Sequence, residues 1–173
     1  LIDSAETTGN IMARQLVGQE TQISRFTVGL NFTTEESMSI IQRQLDLTGR
    51  AGTEMLENLS MHSMAVADAT GVPFKVIAKT TQKVIADVEN FGNVTEQEAA
   101  RIAGALNSAG VSFQTFSGMV GNFQSFDAAA GAVSNLTAVF GVQLDTMDLM
   151  MKANEDQEGF LHTLRDSFLD QGL

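Results

Sequence analysis

The stretch that decides the fold is residues 107–118, which read NSAGVSFQTFSG. A helix-like run stops at Gly110, the apolar Val111 follows, and Ser112 opens a new run. Glycine adopts the left-handed conformation that ends a helix, and an apolar residue after it packs back onto that helix. The same Gly-Val pair occurs twice more in the chain. The predicted helix corners are Gly71, Gly110 and Gly141.

Local signals on both sides of these corners also indicate helices. Thr33 with Glu36, and Thr95 with Glu98, are spaced as capping boxes, in which two side chains satisfy free amide groups at a helix start. Further predicted N-caps are Thr53, Ser112 and Asp145. No run reads as a strand, because alternation is brief and no Asn-Gly or Asp-Gly hairpin turn occurs. The sequence predicts an all-α fold of six or seven helices.

Apolar spacing predicts which faces are buried. Residues 74–91 carry apolar side chains three and four apart and are predicted to form one helix that starts after Pro73. A last helix is predicted from Asp145 to Phe168, with Gly159 as a candidate interruption. The buried stripe of the helix after Thr53 is predicted to be Met55, Leu59, His62, Val66 and Ala69.

Two parts of the chain are distinguished, a helical N-terminal segment at 1–32 and a multi-helix domain at 33–173. The chain begins with Leu rather than Met. We therefore expect an excerpt of a longer chain or a processed product, with 1–32 as the segment that would continue from upstream sequence.

The composition of the chain argues against several classes of function. The net charge of −11 argues against direct binding to nucleic acid, since phosphate binding needs concentrated Lys and Arg. Cysteine is absent, which removes disulfides, thiol nucleophiles and thiolate metal sites. Eleven Phe and nine Met accompany a complete lack of Trp and Tyr. Such a composition favours an adaptable core, because Met fills irregular gaps.

No catalytic or metal-binding pattern is recognisable. His62 and His162 are far apart in sequence, and His62 is interpreted as a core histidine rather than a ligand. Residues 154–159 (NEDQEG) resemble the start of a calcium loop, but Arg165 stands where the bidentate Glu is needed. Phosphate-binding and nucleophile motifs are missing. We therefore expect no catalytic residue, no cofactor, no bound metal and no enzymatic activity.

Between Arg101 and Asp145 the only charged residue is Asp127. A neutral stretch on an acidic chain is expected to be covered, either by the fold or by a neighbouring copy. The candidate self-association surface is Ala132, Leu136, Val139 and Phe140. Membrane contact is the alternative, although residues 128–144 are short and polar for a membrane span. The Lys75, Lys79 and Lys83 side chains share one helix face, interpreted as solvated rather than as a site for an acidic partner.

The rhythm of helix, Gly, apolar residue and cap resembles the helical segments of phage tail tape measure proteins. It is carried by ATGVPFKVIAKTTQKVIADVENFGNVTEQEAARIAGALNSAGVSFQTFSGMVGNF (residues 69–123) and LTAVFGVQLDTMDLM (136–150), and is clearest from about Leu47 to Gly172. Members of that family are long helical chains in the tail tube that set tail length and leave with the genome. The resemblance implies a structural virion protein in the tail interior, present in the host cytoplasm during assembly. Its implied partners are further copies of itself and other tail proteins of the tube or hub.

Two other function classes remain open at this point. A stand-alone helical adaptor predicts a soluble, partner-binding monomer or dimer. An enzyme predicts a pocket with converging polar groups, for which the sequence offers no candidate residues.

Overall fold

The computed structural model describes residue 10 and residues 13–140 and 143–169, and within them every regular element is an α-helix. The predicted all-helical fold is confirmed. The helices are α1 (Glu20–Leu30), α2 (Thr34–Thr48), α3 (Glu54–Thr70), α4 (Phe74–Ala86), α5 (Val88–Phe91), α6 (Glu96–Ala109), α7 (Phe113–Asn122), α8 (Phe126–Phe140), α9 (Thr146–Glu155) and α10 (Gln157–Leu169).

The predicted number of six or seven helices is too low, because the described residues contain these ten helices and a further helical stretch at 13–15. Two predicted helices, one continuous over 74–91 and one with a candidate interruption at Gly159, are each interrupted at a single aspartate. Asp87 separates α4 from the short α5, and Asp156 separates α9 from α10. The second interruption therefore lies three residues before Gly159, the predicted position.

Left-handed residues follow several helices. Gly71 has φ 73° after α3, and its N–H donates to the Ala67 carbonyl. Gly110 has φ 69° after α6, and the Val111 N–H reaches back to the Leu106 carbonyl at 2.9 Å. A β-branched side chain would be strained at either glycine. Gly141, the third predicted corner, lies outside the described residues.

Both predicted capping boxes are confirmed. The Thr33 and Thr95 hydroxyls accept from the backbone N–H groups of Glu36 and Glu98, and both glutamates accept from the threonine N–H in return. Ser112 and Asp145 cap α7 and α9 as predicted.

Thr53 is the N-cap residue of α3, as predicted, but its side chain makes no capping hydrogen bond. Its hydroxyl donates to the Glu57 carboxylate at 2.9 Å instead of accepting a backbone N–H. The Gln44 side chain of α2 takes over part of the capping, because its Oε1 accepts the Met55 N–H at 3.1 Å. A non-local residue therefore stabilises the start of α3.

Helices α3, α4 and α6 pack closely around small side chains. Gly104 on α6 is buried, and a Cβ at this position would overlap the Val66 Cγ1 of α3. The Ser63 hydroxyl donates to the Thr81 Oγ1 of α4 at 3.3 Å. Other buried small residues of these helices are Ala67, Ala78, Ala99, Ala100 and Ala103. Glycine and alanine permit this close approach because they have little or no side chain.

The predicted buried stripe of α3 is displaced. The residues that are buried on this helix are Met55, Leu56, Leu59, Ser63 and Ala67. His62 is only half-buried, so its interpretation as a core histidine is wrong, and Ala69 is exposed.

Phenylalanine rings fill the part of the core that lies between α5, α7 and α10. Phe116 of α7 lies between Phe91 and Phe160, with ring centroids at 5.9 and 6.0 Å. Phe123 meets Phe160 edge-to-face at 5.0 Å. Such pairs add to the burial of apolar surface. These contacts anchor α10 to α7. Buried residues from Leu30 in α1 to Leu164 in α10 therefore belong to one hydrophobic core.

Candidate functional site

The segment between Arg101 and Asp145, whose only charged residue is Asp127, contributes side chains to the core and also forms a nearly uncharged surface. Ala129 and Val133 of α8 are buried, and Phe116, Val120 and Phe123 are buried in and just after α7. The exposed α8 positions are Phe126, Asp127, Ala128, Gly131, Ser134, Asn135 and Ala138. Asp127 is the only charged residue among them, so the solvent side of α8 is nearly uncharged and, apart from the exposed Phe126, is formed by small side chains and Asn135.

The predicted self-association residues fall mostly elsewhere on α8. Ala132 and Leu136 are half-buried and pack against the core. The side chains of Val139 and Phe140 lie outside the described part of the structure. The fold thus covers part of the predicted surface, and the exposed side of α8 is a neighbouring face of the same helix.

A polar cleft of about 420 Å³ lies where the α5–α6 connection meets the α9–α10 break. Its lining includes Glu98 and Arg101 of α6 together with Glu155, Asp156 and Glu158. The Arg101 guanidinium pairs with the Glu158 carboxylate at 2.9 Å. An arginine ion pair inside the cleft neutralises one of its acids and favours a structural contact between α6 and α10.

The calcium-like stretch at 154–159 forms a helix break. Asp156 caps α10, since its Oδ1 accepts the Gly159 N–H at 2.9 Å. Asn154 donates through Nδ2 to the Met150 carbonyl at 2.7 Å. Within the described ranges, no three His, Asp or Glu side chains are grouped so that they could hold a metal ion.

The remaining polar candidates make separate contacts. His162 lies 3.9 Å from the Glu158 carboxylate, whereas His62 belongs to α3. Lys79 pairs with Glu36 of α2 at 3.4 Å, while Lys75 and Lys83 are exposed.

Three acids at helix starts, Glu35, Glu54 and Glu98, have a lowered pKa. Hydrogen bonds from the Thr95 N–H and hydroxyl hold the pKa of Glu98 below its ordinary value. The pKa of Glu54 is also lowered, chiefly because the Gln44 side-chain amide donates to its carboxylate. The effects on Glu98 and Glu54 both come from capping interactions, which stabilise the ionised carboxylates.

Two features were missed from the sequence. The first is a groove of about 630 Å³ beside α1, lined by Phe26, Leu30, Met64 and Phe74 among others. Met61 and Val28 are strongly exposed on α3 and α1, at 58% and 73%. No periodic signal marked this groove, because it arises where α1, α3 and the start of α4 meet.

The second missed feature is a polar cluster at the α4–α5 break. The Asp87 carboxylate accepts from the Ser117 hydroxyl at 2.5 Å and from Asn90 Nδ2 at 2.9 Å. Asn90 Nδ2 also lies 3.0 Å from the Ser117 Oγ. This cluster fixes α5 against α7, and sequence spacing could not reveal it because its members are 30 residues apart.

Among the described residues, no helix combines the length and apolar character needed to cross a membrane. No family model, curated protein or solved structure matches the chain.

Proposed function

We propose that the chain is a non-enzymatic structural segment of a phage tail protein, similar to a tape measure protein. In this proposal several copies lie side by side in the tail interior, in contact with tube or hub proteins, after assembly in the host cytoplasm. Corners at Gly71, Gly110 and Gly141 connect the helices of each copy. The proposal includes no cofactor, no catalytic residue and no direct contact with nucleic acid.

The observation that carries this proposal is the nearly uncharged solvent side of α8 on a chain whose net charge is −11. Acidic copies repel one another wherever charged faces meet. The side that contains Ala128, Gly131, Ser134 and Asn135 carries one charge, Asp127, so this repulsion is weak there. Small side chains also allow the backbones of neighbouring helices to approach closely, as Gly104 does within the fold.

Light scattering on the purified chain at several concentrations tests the self-association. Ser134→Glu adds a charge to the exposed side of α8, and Lys79→Ala changes the net charge by the same amount on α4. We expect Ser134→Glu to weaken association at least severalfold and Lys79→Ala to leave it nearly unchanged. Equal effects of the two variants would contradict a specific role for α8.

The groove beside α1 favours a second candidate, the stand-alone helical adaptor. Phe26, Met64 and Phe74 form the apolar part of a groove that polar residues such as Gln22 and Arg25 also line, and Met side chains adapt to different partners. An adaptor predicts a monomer or dimer that does not assemble further as concentration rises, with partner binding lost in Met64→Glu and kept in Ser134→Glu. The same light-scattering series therefore separates the two functions.

A further inference from the structure

The C-terminal helix is joined to the preceding helix through one non-helical residue. Asp156 has φ −148° and ψ 72°, whereas Glu155 and Gln157 are both helical. Its N–H still donates to the Lys152 carbonyl, and its carbonyl accepts the Phe160 N–H, both at 2.8 Å. No proline or left-handed glycine enforces the break. A change in the backbone of one residue is therefore enough to join α9 and α10.

The contacts that hold this break are local and exchangeable. The Asp156 carboxylate caps the Gly159 N–H, and the Gln157 side-chain amide donates to the Ala153 carbonyl at 3.0 Å. In a continuous helix the Gln157 backbone N–H would donate to that same carbonyl. A Cβ at Gly159 would overlap the Asp156 carboxylate, so the glycine accommodates the bent form. Straightening exchanges these bonds for ordinary helical ones and gives up the hydrogen bond from the Lys152 Nζ to the Thr163 Oγ1, which spans the break at 2.9 Å.

The break at Asp87 has the same kind of side-chain cap, but a residue from another helix also stabilises it. Its carboxylate accepts from the backbone N–H of Asn90, as Asp156 does from Gly159, and additionally from Ser117 of α7. The carboxylate of Asp156 has no such recorded bond from another helix among the described residues. Of the two breaks, the one at Asp156 is therefore the freer hinge.

The surface of the domain that α10 covers, its seat, is apolar at the centre and open along both edges. Phe160, Leu161 and Leu164 are buried, and Glu158 pairs with Arg101 at the rim. The 420 Å³ cleft contains the hinge itself. A second groove of about 300 Å³ separates parts of α10 from α3 and α6. These spaces give α10 room to shift. If α10 leaves this position, the apolar Phe160 ring must be buried again elsewhere.

We propose that α10 is an exchangeable arm that docks into the α10 seat of a second copy. Straightening at Asp156 gives one α9–α10 helix of about 36 Å, which carries α10 away from its own body. Any copy fits the vacated seat, since every copy carries the same α10, and exchange of an identical element is a low-cost route to a dimer. This inference deepens the proposed function, because it rests on self-association of the chain and names a segment that performs it.

A pair of charge-reversal variants tests the exchange in the full 173-residue chain. Arg101→Glu and Glu158→Arg each place like charges together when α10 docks within its own chain. When the two variants are mixed, reciprocal exchange pairs opposite charges at both seats. We expect native mass spectrometry to show mixed dimers favoured over either self-dimer by roughly tenfold at low salt. Dimers without this preference would overturn the exchange and leave other self-association intact.

Hinge variants give a second readout. Gly159→Ala displaces the Asp156 cap and favours the straight helix, whereas Gly118→Ala is a matched change in open space on α7. We expect the dimer fraction to rise severalfold in Gly159→Ala and to stay unchanged in Gly118→Ala. A strictly monomeric Gly159→Ala variant, with no mixed dimer from the charge pair, would overturn the proposal. Mixed dimers with a monomeric unmodified chain would support the arm and contradict the proposed assembly instead.

Discussion

Gly104→Ala should destabilise the protein, although alanine is the better helix former. The added Cβ would overlap the Val66 Cγ1 and lie 3.6 Å from the Thr70 Cγ2. Valine in a helix has one strongly preferred rotamer, so Val66 cannot turn aside freely. Overpacking costs about 1–3 kcal/mol, and the gain in helix propensity offsets about 1 kcal/mol of it. We expect a net loss in the free energy of unfolding of about 1 kcal/mol.

The matched control is Gly131→Ala, in the interior of α8. A Cβ there meets no atom within 4 Å, so this variant should gain about 0.5–1 kcal/mol. The two alanine variants should differ by roughly 4–8 °C in melting temperature, given a shift of about 2–4 °C per kcal/mol at this size. Thermal and urea unfolding measure both. An equal gain in the two variants would refute the close approach of α3 and α6.

A double variant locates the effect. Val66→Ala removes the atoms that the new Cβ would overlap, so Gly104→Ala should cost less in that background than in the unmodified chain. An unchanged cost would place the strain elsewhere.

Three further predictions concern corners, core and pH. Gly110→Val should cost about 1 kcal/mol or more, because a β-branched residue is strained at φ 69°, and a negligible shift in melting temperature would contradict this. Phe116→Ala should cost about 3–5 kcal/mol in urea unfolding, since its ring is fully buried between two others, and a loss below 1 kcal/mol would contradict the aromatic core. The pKa of Glu98 is lowered in the folded state, so its stabilisation is complete above the ordinary value of 4.5 and is lost as pH falls through the lower, folded-state pKa. Melting curves between pH 7 and 3 should therefore show a shallower acid loss in Glu98→Gln, and identical profiles would exclude the cap as the cause.

The parts of the fold that the sequence predicted are those set by neighbours three or four residues apart. The capping boxes at Thr33 and Thr95 follow from local side-chain chemistry, and both formed as expected. The capping hydrogen bond of Thr53 did not form because Gln44, from the preceding helix, competes for the same backbone groups.

Local propensity did not locate the helix breaks at Asp87 and Asp156, although it gave a candidate interruption at Gly159, close to the second. Neither residue follows a glycine or proline, and apolar spacing continues across both. Ser117, which belongs to another helix, stabilises the break at Asp87, and burial of Phe160 against α7 stabilises the break at Asp156. Both depend on tertiary contacts, which spacing rules do not contain.

The predicted self-association residues Ala132 and Leu136 do not lie on the most exposed side of α8. Hydrophobicity singled out Ala132 and Leu136, whereas those residues pack inwards and Ser134 and Asn135 face solvent. On a helix so rich in small residues, hydrophobicity alone does not determine which side the core covers.

Quantitative mass spectrometry of purified phage particles that encode this sequence tests the central claim most directly. The account predicts peptides from α3, α6 and α8 in the intact tail, in equal amounts and at several copies per particle. A particle that lacks these peptides, while the host cell contains them in soluble form, would contradict it.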